Sequence, residues 1–350
     1  MLESIQTLLD TFPEPIVQAR DGVVTAANAL ATLHLPQLSP GASLPDCLAL
    51  SRGAPSGAGT FSVGASTYTF SQTFRDGEQI ILFRPAPQTA LTGPQLEGTV
   101  RQLRSLLGDV LGEAGPAVSE DGASPLRGAA FSKSFHRMFR LVRNLEYLQE
   151  ASSAEGVSFR PVTMDLDDLC RQTVSSAYDL LRQAGVTLEY ESVCSGLLIP
   201  GDPALLQRML LGLIANSVRA VEEGRIVLSL RKQGERALLT LSDSGPLPTA
   251  QQLSALFQQT GGEEIPLPGQ GAGLGLPIAR HIVSLHRGSM LIEWGQSAPA
   301  TVISLPTGPL SARVSVRSPL PPQRDAGLSP LLVELADVLP AHLFTGDGLD

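Results

Sequence analysis

Cysteine is scarce: the 350 residues hold three, Cys47, Cys170 and Cys194. An odd number at wide spacing makes neither a disulfide framework nor a CxxC metal site. They read as buried or idle thiols of a reducing compartment. Positive charge is also short. Lys and Arg total 25 against 34 Asp and Glu, a formal net charge of −9. That balance argues against a nucleic-acid partner and leaves room for a local basic pocket that takes phosphates. No stretch reaches the ~18 uninterrupted apolar residues of a membrane span. The start, MLESIQTLLDTFPEP, lacks the basic-then-apolar pattern of a signal peptide. The expectation is a soluble, cytoplasmic chain without a membrane span. What is present is apolar content, 43% of residues, enough to exclude a wholly disordered chain. At roughly 150 residues per domain the length predicts two or three domains.

Residues 1–88 read as a small α+β domain with an antiparallel sheet. A short helix is predicted over Ser4 to Phe12. Strands over 15–19 and 23–28 meet at Asp21-Gly22, a hairpin-type pair. Three more strands are predicted over 59–63, 66–70 and 78–83. Pro85, Pro87, Gly93 and Pro94 then mark a boundary. Leu96, Val100, Leu103, Leu107 and Val110 form a heptad seam, repeated by Phe131, Phe135, Met138, Val142 and Leu145. Pro94 suits the first helical turn, and the Gly/Ala/Pro/Ser-rich stretch 112–130 reads as a loop. Two helices with such stripes cannot bury them alone. Either the hairpin of 94–152 pairs with a second copy as a four-helix bundle, or it packs on a neighbouring domain.

Residues 158–306 alternate helices and strands, as an α/β sandwich with one mixed sheet. Helices are predicted over 165–183, about 203–222, 250–258 and about 275–285. Strands are predicted over 186–192, 225–231, 237–243, 289–294 and 301–305. Asp202 offers an N-cap with Pro203 at the first helical position. The Pro-rich extension 307–350 holds one candidate helix, 331–338.

Three segments carry chemistry. Gly271-Ala272-Gly273-Leu274-Gly275-Leu276 precedes a helix. It is either a flexible connector or an anion cradle, in which backbone N–H groups and the helix dipole face phosphate. It lacks the Lys-Ser/Thr of a P-loop, and no strand directly precedes it to make a dinucleotide-binding turn. Asn216 stands alone on an apolar helix with Arg219 nearly one turn on. A buried Asn needs partners, either across a helix–helix contact or as a Mg²⁺ ligand. Asp243-Ser244-Gly245 ends a strand, where the carboxylate either closes a turn or accepts from an adenine amino group.

In this order and spacing the three resemble the nucleotide-binding domain of sensor histidine kinases, the GHKL ATPase fold, over roughly 158–306. Phe257 stands at the position of that family's F-box, and Gly201-Asp202-Pro203 also fits. The resemblance implies ATP and Mg²⁺ as cofactors. Asn216 would hold Mg²⁺, Asp243 would read adenine beside Gly245, and Arg219 would meet phosphate. Gly271, Gly273 and Gly275, with Leu274 and Leu276, would shape the ATP lid, itself near 258–270. Gly212 and Leu247 depart from the pattern. ATP-hydrolysing relatives place a Glu at the position of Gly212 to activate water, so the glycine disfavours hydrolysis by that route.

The hairpin resembles the dimerisation and phosphoacceptor region of the same kinases, and residues 1–88 resemble a PAS sensor. The whole is thus an α+β multidomain chain: a PAS-like sheet domain, a dimerising helical hairpin and an ATPase sandwich. An acceptor histidine is missing from its usual place. Family members carry His-Glu/Asp-x-Arg-x-Pro on the first hairpin helix. Arg101 suits the Arg, which sets Gly98 where the His would stand and Leu103 at the Pro. No histidine occurs between His34 and His136. His136 is the sole acceptor candidate in the hairpin and is predicted on a solvent-facing side, while His281 and His286 suit a helix surface or end. Two functions follow from the resemblance. One is a homodimeric histidine kinase of two-component signalling, acting on His136 or on a response regulator or histidine phosphotransfer protein. The other is a degenerate kinase, a nucleotide-binding regulatory module without autophosphorylation.

Overall fold

The structure is a computed structural model that describes residues 9–45, 48, 56–63, 66–75, 77–85, 99–108, 125–153, 156–221, 223–245, 274–294, 299–308 and 328–344. The predicted helix over 250–258, the first residues of the helix over 4–12, and Cys47 lie outside this set.

The N-terminal unit begins with a hairpin, β1 (Ile16–Arg20) and β2 (Val23–Ala27). Asp21 and Gly22 turn it with φ of 52° and 76°, both in the left-handed region that primed turns require. Asn28 caps α1 (Ala29–His34): its side-chain oxygen accepts the Ala31 N–H at 2.8 Å, and its amide donates to the Glu14 carbonyl at 2.8 Å. Strands β3 (Ser56–Val63), β4 (Ser66–Arg75) and β5 (Glu78–Pro85) complete an antiparallel sheet in the order β2-β1-β5-β4-β3. Val17, Leu35, Leu38, Ile81 and Phe83 are fully buried at its core. This follows from strict alternation: β5 buries Gln79, Ile81 and Phe83 and turns Ile80 outward.

Helix α2 covers 99–108, and α3 spans Pro125–Ser152. The expected loop to residue 130 is therefore six residues too long at its end. Pro125 opens the helix, where a missing N–H costs nothing. His136, expected to face solvent, is instead buried, 2% exposed, with Ser134, Arg140, Leu141, Tyr147 and Leu148. Of the seam residues, Phe131, Phe135 and Val142 are exposed within the single chain, while Met138 and Leu145 pack partly buried against the core. The face of α3 that packs within the chain thus carries polar side chains among apolar ones, and carboxylates from the far end of the chain pair with its buried Arg140.

The third unit builds on β6 (Val162–Asp165), α4 (Leu166–Gln183), β7 (Val186–Ser192), β8 (Leu198–Gly201), α5 (Pro203–Val221), β9 (Gly224–Gln233), β10 (Arg236–Asp243), α6 (Gly275–Leu285), β11 (Ser289–Trp294) and β12 (Pro299–Pro306). Strands β6 and β8 form a separate two-stranded sheet. At four residues each they are too short to show a period-2 pattern. The main sheet runs β11-β12-β10-β9-β7 and is mixed, since β7 pairs with β9 in parallel and the remaining pairs are antiparallel. Helices α4, α5 and α6 cover it. By length and composition α5 could cross a membrane, but here it packs against α4, α6, β9 and β10.

One contact was not expected. β3 pairs antiparallel with β11, register Gly59 with Leu291, and fuses the two sheets into one of ten strands. A Cβ at Gly59 would collide with the Met290 carbonyl and come within 2.9 Å of the Leu291 Cα, so the close approach requires glycine. After residue 327 the chain returns as α7 (Pro330–Leu335), shorter than the helix expected there, and a 3-10 turn (Ala341–Phe344). Both pack on α3, and α7 also on α5.

Candidate functional site

Helix α5 organises the site. Asp202 caps it as expected: one carboxylate oxygen accepts the N–H groups of Ala204 and Leu205 at 3.1 and 3.2 Å, the other accepts from Arg160 at 3.0 Å. The Asp202 N–H itself donates to Nε2 of His286 at 2.9 Å, and Nδ1 of His286 donates to the Ile282 carbonyl at 2.7 Å. His286 is therefore a buried strut between α5 and the end of α6, not a surface residue. Burial holds its imidazole below the usual histidine range, opposed by the Ile282 carbonyl and Asp202. His281 is likewise inside, its Nδ1 2.9 Å from the Tyr147 hydroxyl of α3, and burial lowers it too.

In the C-terminal half of α5, half-buried Asn216 lies against the start of α6. A Cβ added at Gly275 would stand 3.4 Å from the Asn216 Nδ2 and 3.6 Å from its Oδ1. The neighbouring Ser217 hydrogen-bonds the Asp243 carboxylate, whose Oδ1 also accepts the Gly245 N–H at 3.0 Å. Burial raises the Asp243 carboxyl above the usual range, against those two hydrogen bonds. Gly245 is pressed on the end of α5; a Cβ there would come 3.3 Å from the Ala220 carbonyl. Leu274 and Leu276 are buried and anchor the N-terminal turn of α6. Asn216, Asp243, Gly245, Leu274, Gly275 and Leu276 thus gather around one half of α5. Phe257, Gly271 and Gly273 lie outside the described residues. At Gly212, one turn before Asn216, an added Cβ meets nothing within 4 Å, so the position has room for a side chain and carries none.

The donor set fits a nucleotide with its metal. Among the described residues no three His, Cys, Asp or Glu side chains cluster, which leaves no all-protein cage. Mg²⁺ is commonly held by one or two protein groups, phosphate oxygens and water, and the Asn216 carboxamide is suited to be one such group. Two expected roles meet a different surrounding. Arg219 faces Asp337 of the C-terminal segment at 3.7 Å. His136 packs edge-on to the Phe344 ring, centroids 5.1 Å apart, with Nδ1 2.7 Å from the Ser132 carbonyl. An imidazole so covered cannot receive a phosphoryl group without rearrangement. Sequence reasoning missed Ser217, Asp337 and the Tyr147–His281 pair. Ser217 was legible as the polar neighbour of Asn216; the others are joined only by the fold.

Residues 201–319 match the family described as Histidine kinase-, DNA gyrase B-, and HSP90-like ATPase. Sensor histidine kinase ZraS of Klebsiella oxytoca is 26% identical over 207 residues, 58% of this chain and 42% of that protein. Sensor histidine kinase TmoS of Ectopseudomonas mendocina is 30% identical over 207 residues, 55% of this chain and 20% of that protein. Sensor protein kinase PmrB of Pseudomonas aeruginosa is 27% identical over 213 residues, 57% of this chain and 43% of that protein. The matches therefore span less than half the length of these curated relatives. Among solved structures, histidine kinase ThkA in complex with response regulator protein TrrA aligns with a TM-score of 0.49 at 15% identity, over 87% of this chain and 98% of that one.

Proposed function

The chain belongs to the sensor histidine kinase family through its GHKL ATPase domain, and from that premise we propose that it is a cytoplasmic, homodimeric signalling protein that binds ATP with Mg²⁺ around α5. Membership implies ATP-binding signalling in two-component systems. The observation that carries the site is that one helix sets Asn216 against Gly275 and, one residue on, Ser217 against Asp243. In this reading Asp243 accepts a hydrogen bond from the adenine amino group, with Ser217 and Gly245 holding its carboxylate in place. Asn216 holds the metal, Arg219 offsets phosphate charge, and the opening turn of α6 presents backbone N–H groups. ATP, once bound, supplies a transferable phosphoryl group, with Mg²⁺ offsetting the charge of its phosphates. The five-stranded N-terminal sheet supports a PAS-like sensor, and the exposed stripe of α3 supports pairing with a second copy. The partner this reading calls for is a response regulator or histidine phosphotransfer protein.

Calorimetric titration of the full chain with MgATP tests the site, with Asn216→Ala as control. Binding in the low-millimolar range or tighter, lost in the variant, is the expected result. No binding of adenine nucleotides at millimolar concentration would end the reading.

A second reading, a kinase without autophosphorylation, is favoured by a specific observation: His136 is 2% exposed beneath Phe344. Incubation with γ-labelled ATP separates the two. Acid-labile label that disappears in His136→Ala supports the kinase. MgATP binding with no label on the protein or on a response regulator supports the regulatory module.

A further inference from the structure

The C-terminal segment 328–344 is held by charge beside Arg219, the cation that the nucleotide reading sets against phosphate. Asp337 Oδ2 lies 2.6 Å from Arg140 Nη1 and 3.7 Å from Arg219, and its Oδ1 accepts from Arg137 at 2.9 Å. Glu334, itself 5% exposed, faces Arg140 at 3.4 Å, Arg208 at 3.5 Å and Arg143 at 3.9 Å. Arg137, Arg140 and Arg143 belong to α3, while Arg208 and Arg219 belong to α5. Two carboxylates of one segment thus bridge the hairpin helix to the helix that carries Asn216. Apolar anchors reinforce the bridge: Leu332, Leu335, Leu339 and Phe344 are buried in the main core cluster, Phe344 over His136.

Arg219 stands three residues beyond Asn216, on the same side of α5, and a guanidinium paired with a carboxylate is not available in the same geometry to phosphate. We propose that residues 328–344 form an autoinhibitory strap, in which Asp337 occupies Arg219 in competition with nucleotide phosphates while Phe344 covers His136. The strap rests on the nucleotide reading above. It adds that the segment and MgATP oppose each other: each weakens the other by the same factor, because linkage is reciprocal. Release of the segment removes Asp337 from Arg219 and Phe344 from His136 in one step. The competition is for phosphate and not for adenine, so adenosine is indifferent to it.

The test uses the full chain, calorimetry with MgATP and with adenosine, and hydrogen–deuterium exchange over 328–344. Asp337→Asn is expected to speed exchange in the segment and tighten MgATP by about fivefold or more, with adenosine unchanged. Phe344→Ala, which leaves every charge in place, is expected to do the same. In the unmodified protein, saturating MgATP speeds exchange over 328–344, a measurement that stands even if a variant fails to fold. Segment exchange that MgATP leaves unchanged, or a released segment with unaltered MgATP affinity, overturns the strap while the nucleotide site stands. A segment that keeps its exchange rate in both variants overturns it as well. Failure of MgATP and adenosine to bind any form of the protein removes the nucleotide site, and the competition with it.

Discussion

His286 shows how much one side chain can settle. Nδ1 donates to the Ile282 carbonyl and Nε2 accepts the Asp202 N–H, a pairing open only to the neutral ring in one tautomer. Burial lowers its pKa, so the unfolded chain binds the proton more readily than the folded one. The contribution of His286 is complete above its unfolded pKa, near 6.5. It declines as pH falls from there toward the folded value. Urea unfolding at pH 8 and at pH 5.5 is expected to show a loss of stability at the lower pH that shrinks in His286→Gln. An unchanged pH dependence in the variant would reject this account. At pH 8 the same variant is expected to lose roughly 1–3 kcal/mol, the usual consequence of disturbing a buried hydrogen-bond pair. Asn216 differs in kind. Its half-buried carboxamide faces the start of α6, so Asn216→Ala is expected to weaken MgATP binding at least tenfold, about 1.4 kcal/mol, and to leave the melting temperature within a degree or two. A large drop in melting temperature would instead assign Asn216 to the core.

At the scale of elements, the seam between β3 and β11 is the least expected feature. Its register sets Gly59 against Leu291 and Thr60 against Met290. Gly59→Val is expected to open this pairing, because its side chain would occupy the space of the Met290 carbonyl. Amide exchange would then rise across 56–63 and 289–294 while β9 and β10, deeper in the sheet, stay protected. Equal exchange in variant and parent would show that the two sheets are not joined there. Elements with strong local signals were legible in advance. Helix α5 has its Asp202 cap, Pro203 opening and apolar body, and β7 has its alternation. Strands β6 and β8 were not legible, since four residues carry too little pattern. Helix α3 was misread at its start and in the placement of His136. Periodicity reports that a stripe is apolar, and not which partner covers it.

At the scale of the whole molecule, two surfaces of α3 compete. Its inward face, where Arg137 and Arg140 meet Glu334 and Asp337 and Leu141 and Leu148 join the core, is used within the chain. Its apolar face, with Phe131, Phe135 and Val142, remains exposed, as do Val100 and Leu107 of α2. Exposed apolar residues in a contiguous run mark an interface, and a self-complementary patch on a second copy covers it symmetrically. Sedimentation velocity is expected to find a dimer that Phe135→Glu converts to monomer without loss of helix content. A monomeric parent protein at tens of micromolar would refute the pairing. The ion cluster on the opposite face has its own signature. Asp337 is half caught between burial, which would raise its pKa, and Arg140, Arg219 and Arg137, which hold it below the usual range. Its contribution is therefore present above the ordinary carboxylate pKa, about 4, and is lost as pH falls through the lower folded value.

The order of motifs, the caps of α1 and α5, the hairpin at Asp21-Gly22 and the glycine positions around Asn216 were determined by the sequence alone, because each depends on residues within a turn or two of one another. The burial of His136, the partner of Arg219 and the joining of the two sheets were decided by tertiary structure. Arg140 and Asp337 are 197 residues apart in the chain and 2.6 Å apart in space. No local propensity encodes such a meeting; it follows only when the whole chain has packed and buried charge must find its counter-charge.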